Sequence, residues 1–333
     1  MTTTRAPNES IDARSDTDTQ RRLYRTMTTI RSFEVTAEKL FKAGRIPGFI
    51  HVSIGQEASA AGVVSALRTT DYITTTHRGH GHTLAKGAPL EGMMAELFGK
   101  ATGICRGRGG SMHIADFTVG MLGANGIVAG GVGIAVGAAL GSTLRGENAV
   151  AVPFFGDGAT ARGPFAESLN LAQVWQLPVV FACEANGWAS TTRSSESLAG
   201  DAIGARATAI GMPAERVDGN DVLAVRDAAA AAVDRARSGG GPTFLQIDTF
   251  RLRGHFVGDP TTYYDPAELA SWTGRDPLVI ARTVLTALPP DEFDELDRAA
   301  VAAVAAAVEY AEAADEPDPA GVAEHLFASA ANR

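Results

Sequence analysis

The stretch NAVAVPFFGDGATARGPFAESLNLAQVWQLPVVFACEANG, residues 148–187, decides the fold. It opens with an apolar run of strand length, 148–155, closed by Gly156-Asp157-Gly158. Pro164 follows where a helix can start, because the first helical position has no use for the N–H that proline lacks. Phe165, Leu169, Leu171, Ala172 and Trp175 then recur at helical spacing. Pro178 ends the connection, and residues 179–183 (VVFAC) read as a second strand. Strand, helix and strand in succession predict two parallel strands joined by a right-handed crossover, hence an α/β fold. Pro153 weighs against a central place for the first strand, since it cannot donate to a ladder.

Ligands of open parallel sheets bind at the carboxyl ends of the strands. Asp157 follows the first strand and Asn186 the second, 29 residues apart, so both can meet at one rim of the sheet. A carboxylate oxygen and an amide oxygen are hard donors, and with phosphate oxygens and water they suit octahedral magnesium. Gly156 and Gly158 permit close backbone approach, and the helix start can offer amides to a phosphate. A magnesium–diphosphate site is one reading of this pattern. A plain sheet-edge turn with a solvated Asp and a capping Asn is the other.

Outward from this core, Leu23, Met27, Ile30, Phe33, Leu40 and Phe41 predict a helix over 19–43, and a small-residue helix is expected over 57–67. Residues 77–133 are rich in Gly and His and read as loops. Residues 243–249 form another strand candidate, and the last sixty residues are helical and acidic. Residues 1–18 are polar, and are expected to be a disordered tail ahead of a single domain over 19–333 with a helical C-terminal extension. They show neither a signal-peptide apolar core nor transit-peptide character, so a cytoplasmic location is expected. No apolar run reaches membrane-spanning length. The net charge of -9 sets general nucleic-acid binding aside. The two cysteines, Cys105 and Cys183, do not make a disulfide framework. His80, His82 and His113 with Cys105 match no familiar zinc spacing. No Gly-x-Gly-x-x-Gly of the dinucleotide-binding kind follows a strand.

Gly156-Asp157-Gly158 with Glu184-Ala185-Asn186-Gly187 resembles the thiamine-diphosphate fingerprint. THRGHGHTLAKG (76–87), FGKATGICRGRGGSMHIAD (98–116), MLGANGIVAGGVGIAVGAAL (121–140) and RLRGHFVGDPTTYY (251–264) are similar to the alpha subunits of 2-oxo acid and acetoin dehydrogenases, over about residues 20–280. THRGHGH and GHFVGD lean towards the acetoin branch; pyruvate and branched-chain 2-oxo acid members are the alternative.

The resemblance implies a thiamine-diphosphate-binding fold, a mostly parallel sheet with helices on both faces. It implies thiamine diphosphate and Mg2+ as cofactors, with Asp157, Asn186 and the Trp188 backbone carbonyl as metal ligands. His77 and Arg78 are implied at the diphosphate, Gly126 and Val128 at the aminopyrimidine, and Gly158 and Ala159 as further cofactor-binding positions. His255 is implied as the catalytic loop histidine, its reference pKa of roughly 6.5 being suited to proton transfer. Arg251 and Arg253 flank it and either order the loop or meet the diphosphate. Phe256 stands where kinase-regulated members carry a phosphorylated serine, so that regulation is not expected. The implied partners are a beta subunit in an α2β2 heterotetramer, which would supply the activating glutamate, a lipoyl-bearing acyltransferase and a small-molecule substrate. Ala185 departs from the family's Asn-Asn, and a non-catalytic assembly subunit is the alternative of another class.

Overall fold

A computed structural model of the chain describes residues 16–200 and 203–323. Its centre is a six-stranded, all-parallel sheet built from β1 (Tyr72–Thr76), β2 (Met121–Asn125), β3 (Ala151–Gly156), β4 (Val180–Ala185), β7 (Ala214–Asp218) and β8 (Thr243–Asp248). The spatial order is β2-β1-β3-β4-β8-β7, and β5 (Trp188–Ala189) and β6 (Thr192–Arg193) form a separate antiparallel hairpin. The chain runs outward from β1 to β2 and then returns to the other side of β1 for β3, so the strand order reverses between β1 and β3. Crevices at the carboxyl ends of strands open at such reversals.

The helices are α1 (Thr17–Lys42), α2 (Glu57–Ser65), α3 (His80–Ala85), α4 (Leu90–Leu97), α5 (Gly130–Leu144) and α6 (Gly163–Val174). They continue with α7 (Ser194–Ser197), α8 (Ala205–Thr208), α9 (Val222–Arg237), α10 (Pro266–Thr273), α11 (Pro277–Val284) and α12 (Pro290–Ala313). Side chains alternate along the strands and cover both faces of the sheet. Val150, Val152 and Phe154 join Val180, Ala182 and Ile247 against α2 and α9. Ala151 and Phe155 join Phe181, Cys183 and Phe244 against α5 and α6. Both faces are therefore dry, which is why the inner strands read as continuous apolar runs rather than alternating ones. A further cluster of α1, α4 and α12 closes the outside of the molecule.

The strand–helix–strand unit stands as expected, with β3 and β4 direct parallel neighbours. The difference is Pro153, which lies inside a central strand, opposite Thr74 of β1. On the β4 side the pairing consists of one bridge at Ala151 and Val179 and resumes only at Phe154 and Ala182. The lapse falls where proline has no N–H to give. A missing ladder bond costs about 1 kcal/mol, whereas burying Phe154 and Phe155 on opposite faces contributes about 1.5–3 kcal/mol each, so the strand holds its place.

Two boundaries also differ. The first helix starts at Thr17, because the Asp16 carboxylate caps it by accepting from the Asp18 and Thr19 amides at 3.3 and 3.2 Å. Residues 17 and 18, expected in the tail, are thus helical, and residues 1–15 lie outside the described residues. The segment expected to be all loop carries β1's exit, α3, α4, β2 and the start of α5. No described helix is long and apolar enough to cross a membrane.

Candidate active site

A cavity of about 470 Å³ opens at the β1/β3 reversal. Its walls come from the residues that leave each strand at its carboxyl end: Thr75–Arg78 after β1, Asn125–Ala129 after β2, Gly156, Gly158 and Ala159 after β3, and Asn186 after β4. The hairpin adds Trp188, Ala189 and Ser190. His51 and Gln56 enter from the segment before α2, and Arg251 and His255 from the loop after β8.

At one end stands an oxygen-rich corner. Asp157 is 1% exposed and sits just behind the cavity wall. Its Oδ1 accepts from the Asn186 amide at 2.9 Å, and its Oδ2 accepts from the Gly187 amide at 2.8 Å and from Ser194 Oγ at 2.5 Å. Burial pushes the Asp157 carboxyl up, and the hydrogen bonds from Ser194 and the two amides oppose it. Among the described residues no Lys, Arg or His pairs with it. A buried carboxylate anchored by donors and lacking a counter-cation is a fitting ligand for a hard cation. Asn186 is also buried, its Oδ1 accepting from the Trp188 amide at 3.2 Å. Gly158 is required here: a Cβ on it would lie 2.9 Å from that of Ala189. Ala185 lines a different crevice, with Asp248 and Trp272, so the departure from Asn-Asn faces away from the cavity.

A cationic corner stands against this. Arg78 is 4% exposed, and its guanidinium donates to the main-chain carbonyls of Val52 and, at 2.8 Å, His255. Burial and the neighbouring Arg251 lower its pKa to about 10. Arg251 is 3% exposed, donates to Ser190 O at 2.8 Å and to His255 Nδ1 at 3.1 Å, and keeps an unpartnered buried Nε. Neither guanidinium meets a carboxylate among the described residues. Two buried, unneutralised guanidiniums make an anion site, since arginine's paired donors match phosphate oxygens.

Three histidines share this corner, with ring centroids of His51, His77 and His255 4.6–5.2 Å apart. Their ligand nitrogens all lie within 4.8 Å of one another, close enough to suggest a metal. The adjacent guanidiniums make the potential positive, however, and an anion suits it better than a cation. Burial and then Arg78 lower the pKa of His51 to about 3, of His77 to about 2 and of His255 to about 4. His255 thus titrates further below pH 7 than its reference value suggests, and its ring is neutral, with one N–H, near pH 7. Because Arg251 can only donate, His255 Nδ1 is the acceptor and the proton sits on Nε2. The Asp259 carboxylate holds the His255 loop by accepting from the His255 amide at 2.6 Å, the Thr261 amide at 3.0 Å and the Tyr263 hydroxyl.

The structure thus brings His77, Arg78, Gly126, Val128, Gly158, Ala159, Asn186, Trp188 and His255 to one cavity, with Asp157 immediately behind. Arg251 reaches the cavity, whereas Arg253 points to the surface and pairs with Glu38 at 3.3 Å. The sequence did not single out His51 and Gln56 as cavity residues, nor Glu184 as lining it. The histidines weighed for zinc go elsewhere. His80 bridges Glu34 and Ser111 at 2.8 and 2.9 Å, and His82 bridges Thr75 and Glu184 at 2.7 and 3.1 Å. Cys105 Sγ accepts from the Ala115 amide.

Residues 25–320 match the family model described as dehydrogenase E1 component. The chain belongs to the dehydrogenase E1 component family. It is 54% identical over 241 residues to the alpha subunit of acetoin:2,6-dichlorophenolindophenol oxidoreductase from Bacillus subtilis, covering 72% of each chain. It is 47% identical over 267 residues to the subunit of the same name from Cupriavidus necator, covering 80% of each. The alpha subunit of the pyruvate dehydrogenase E1 component from Porphyra purpurea is 44% identical over 263 residues, with 77% of this chain and 76% of that one covered. As an E1-family chain this is an oxidoreductase alpha subunit, and its similarity is greater to the acetoin enzymes than to the pyruvate one.

Proposed function

We propose that this E1-family chain binds thiamine diphosphate and Mg2+ in the cavity and, with a beta subunit in an α2β2 assembly, cleaves the C–C bond of acetoin. One two-carbon half of acetoin leaves as acetaldehyde; the other is oxidised to an acyl group by the disulfide of a lipoyl group on an acyltransferase, which takes it up as a thioester on one sulfur and frees the other as a thiol. The observation that carries the reading is the pairing of an oxygen corner without a cation and a guanidinium corner without an anion within one cavity. A magnesium diphosphate supplies both missing charges.

The side-chain oxygens of Asp157 and Asn186 and the carbonyl of Trp188 would hold the metal. Arg78, Arg251 and His77 would bind the diphosphate, with Gly158 and Ala159 giving its oxygens room. Gly126 and Val128 would meet the aminopyrimidine. Bound thiamine diphosphate supplies a thiazolium carbon able to add to a carbonyl and to hold the electron pair left by C–C cleavage. His255, unprotonated on Nδ1 and protonated on Nε2, is placed to exchange a proton with a substrate oxygen. An anion beside it would offset the guanidiniums and bring its pKa back towards neutrality.

Dye reduction by the chain copurified with its beta subunit tests this, comparing acetoin, pyruvate and branched 2-oxo acids with thiamine diphosphate and Mg2+ present. Acetoin is expected to be the preferred substrate, with Asp157→Ala abolishing turnover. A preference for pyruvate would move the chain to the 2-oxo acid branch. A well-formed complex that turns over none of them would leave the assembly-subunit reading.

A further inference from the structure

Asn186 carries an oxygen and a nitrogen on one amide, and only the oxygen can serve a cation. Something must decide which way the amide turns. Glu184, in β4, is buried with both oxygens engaged. Its Oε1 accepts from Ser59 Oγ at 2.5 Å and faces His82 Nε2 at 3.1 Å, and its Oε2 accepts from Gln56 Nε2 at 2.9 Å. The Thr75 hydroxyl, 2.7 Å from His82 Nδ1, can donate there and leave the ring proton on Nε2, aimed at Glu184. A carboxylate only accepts, so Gln56 must turn its amide nitrogen towards Glu184 and its oxygen away. That oxygen meets Asn186 Nδ2 at 3.1 Å. An acceptor there requires a donor, so Asn186 turns its nitrogen to Gln56 and keeps Oδ1 on the opposite side.

We infer that Glu184 is a positioning residue that acts through Gln56 and, together with the Trp188 amide on Oδ1, fixes Asn186 with a lone pair of its oxygen left for the cation. The inference rests on the proposed cation site at Asp157 and Asn186. Polarity passes along the three residues as alternating acceptor and donor, and reversing the first reverses the last. In Glu184→Gln, Ser59 and His82 hold the amide oxygen of the introduced side chain, so its amide nitrogen faces Gln56. Gln56 then flips and offers its nitrogen to Asn186, so Asn186 either turns its own nitrogen towards the cation and gives up the Trp188 bond, or faces Gln56 donor to donor; both weaken the cation site. Adding Gln56→Glu puts an acceptor-only group back between the introduced amide nitrogen and the Asn186 amide, and restores the original orientation at unchanged net charge.

The test counts Mn2+ binding by electron paramagnetic resonance on the alpha–beta complex at saturating thiamine diphosphate, with thermal unfolding as the control for folding. Glu184→Gln is expected to lose about 10- to 100-fold in metal affinity, the usual range for groups behind a metal ligand. The Glu184→Gln/Gln56→Glu double variant is expected to recover most of it. Wild-type affinity in Glu184→Gln, or a double variant that melts like wild type yet binds as weakly as the single one, overturns the inference. Should the double variant unfold, Gln56→Leu decides: it frees the Asn186 amide and is expected to lose affinity, and unchanged affinity overturns the relay. Absence of Mn2+ binding by the wild type would sink the proposed cation site itself, and the relay with it.

Discussion

At the residue scale, charge deficits explain the site better than any one side chain does. The folded-state pKa values of His51, His77 and His255 all lie below the unfolded value of roughly 6.5. Between these limits the unfolded chain binds more protons than the folded one, so stability increases with pH there. The contribution is complete above about pH 6.5 and declines as the pH falls towards the folded values near 4 and below, by at most roughly 1.4 kcal/mol per pH unit per histidine. An anion among the guanidiniums raises these pKa values and weakens the decline. The ligand-free chain is therefore expected to lose thermal stability between pH 7.5 and 5, and to lose less with thiamine diphosphate and Mg2+ present. Calorimetry at pH 6 in buffers of different ionisation heat gives a second measure. The wild type is expected to take up more protons on binding thiamine diphosphate than His77→Gln. Equal uptake would mean that the histidines do not feel the bound anion.

At the element scale, one carboxylate gathers three groups of the loop after β8, beside the bonds from Arg78 to the His255 carbonyl and from the Val257 amide to Ile50. Asp259 gathers the His255 amide, the Thr261 amide and the Tyr263 hydroxyl, and Gly254 is needed because a Cβ there would lie 2.6 Å from Asp259. Asp259→Ala is expected to leave the melting temperature nearly unchanged, since Val257 keeps its buried place and its amide bond to Ile50. It is expected to expose 253–263 to limited proteolysis and to lower turnover at least about tenfold through His255. Intact protease resistance would show that other contacts order the loop. The same scale explains what could be read beforehand. The β3–α6–β4 unit was legible because its strands are apolar on both faces and its turns are marked by Gly and Pro. Pro153 misled because two dry faces outweigh one missing bond. β1 and α3 were silent because their buried groups are polar: Thr74 donates to the Gly131 carbonyl, and His80 and His82 are satisfied by Glu34 and Glu184. Hydrophobic periodicity carries no trace of such elements. That Asn186 and Arg78 would come to one cavity, with Asp157 beside it, was legible through motif. His51 and Gln56 were not, because only the tertiary fold brings their segment beside residues far along the chain.

At the scale of the whole molecule, the cavity presents no free carboxylate among the described residues. Among the described residues Glu184 is the one carboxylate lining it, and Gln56, Ser59 and His82 already occupy both oxygens. No free carboxylate base among them therefore faces Gly126 and Val128, where the aminopyrimidine is proposed to lie. Beside that place the surface is apolar and open, with Ile127 72% exposed and Val128 49%. Bulky apolar groups exposed at the mouth of the cavity suit burial by another chain. A beta subunit seated there would cover them and could bring the missing carboxylate in one step. The chain alone is expected to bind thiamine diphosphate weakly and to show no dye reduction with acetoin, and the copurified complex to show both tight binding and turnover. Ile127→Asp places a charge in that contact without touching the core, so its melting temperature as an isolated chain should match wild type. In size-exclusion chromatography with the beta subunit it is expected to shift from the complex towards the free chain, with turnover falling in proportion. A variant that assembles and turns over normally would place the partner elsewhere on the surface, and full activity of the isolated chain would require a base within the cavity itself.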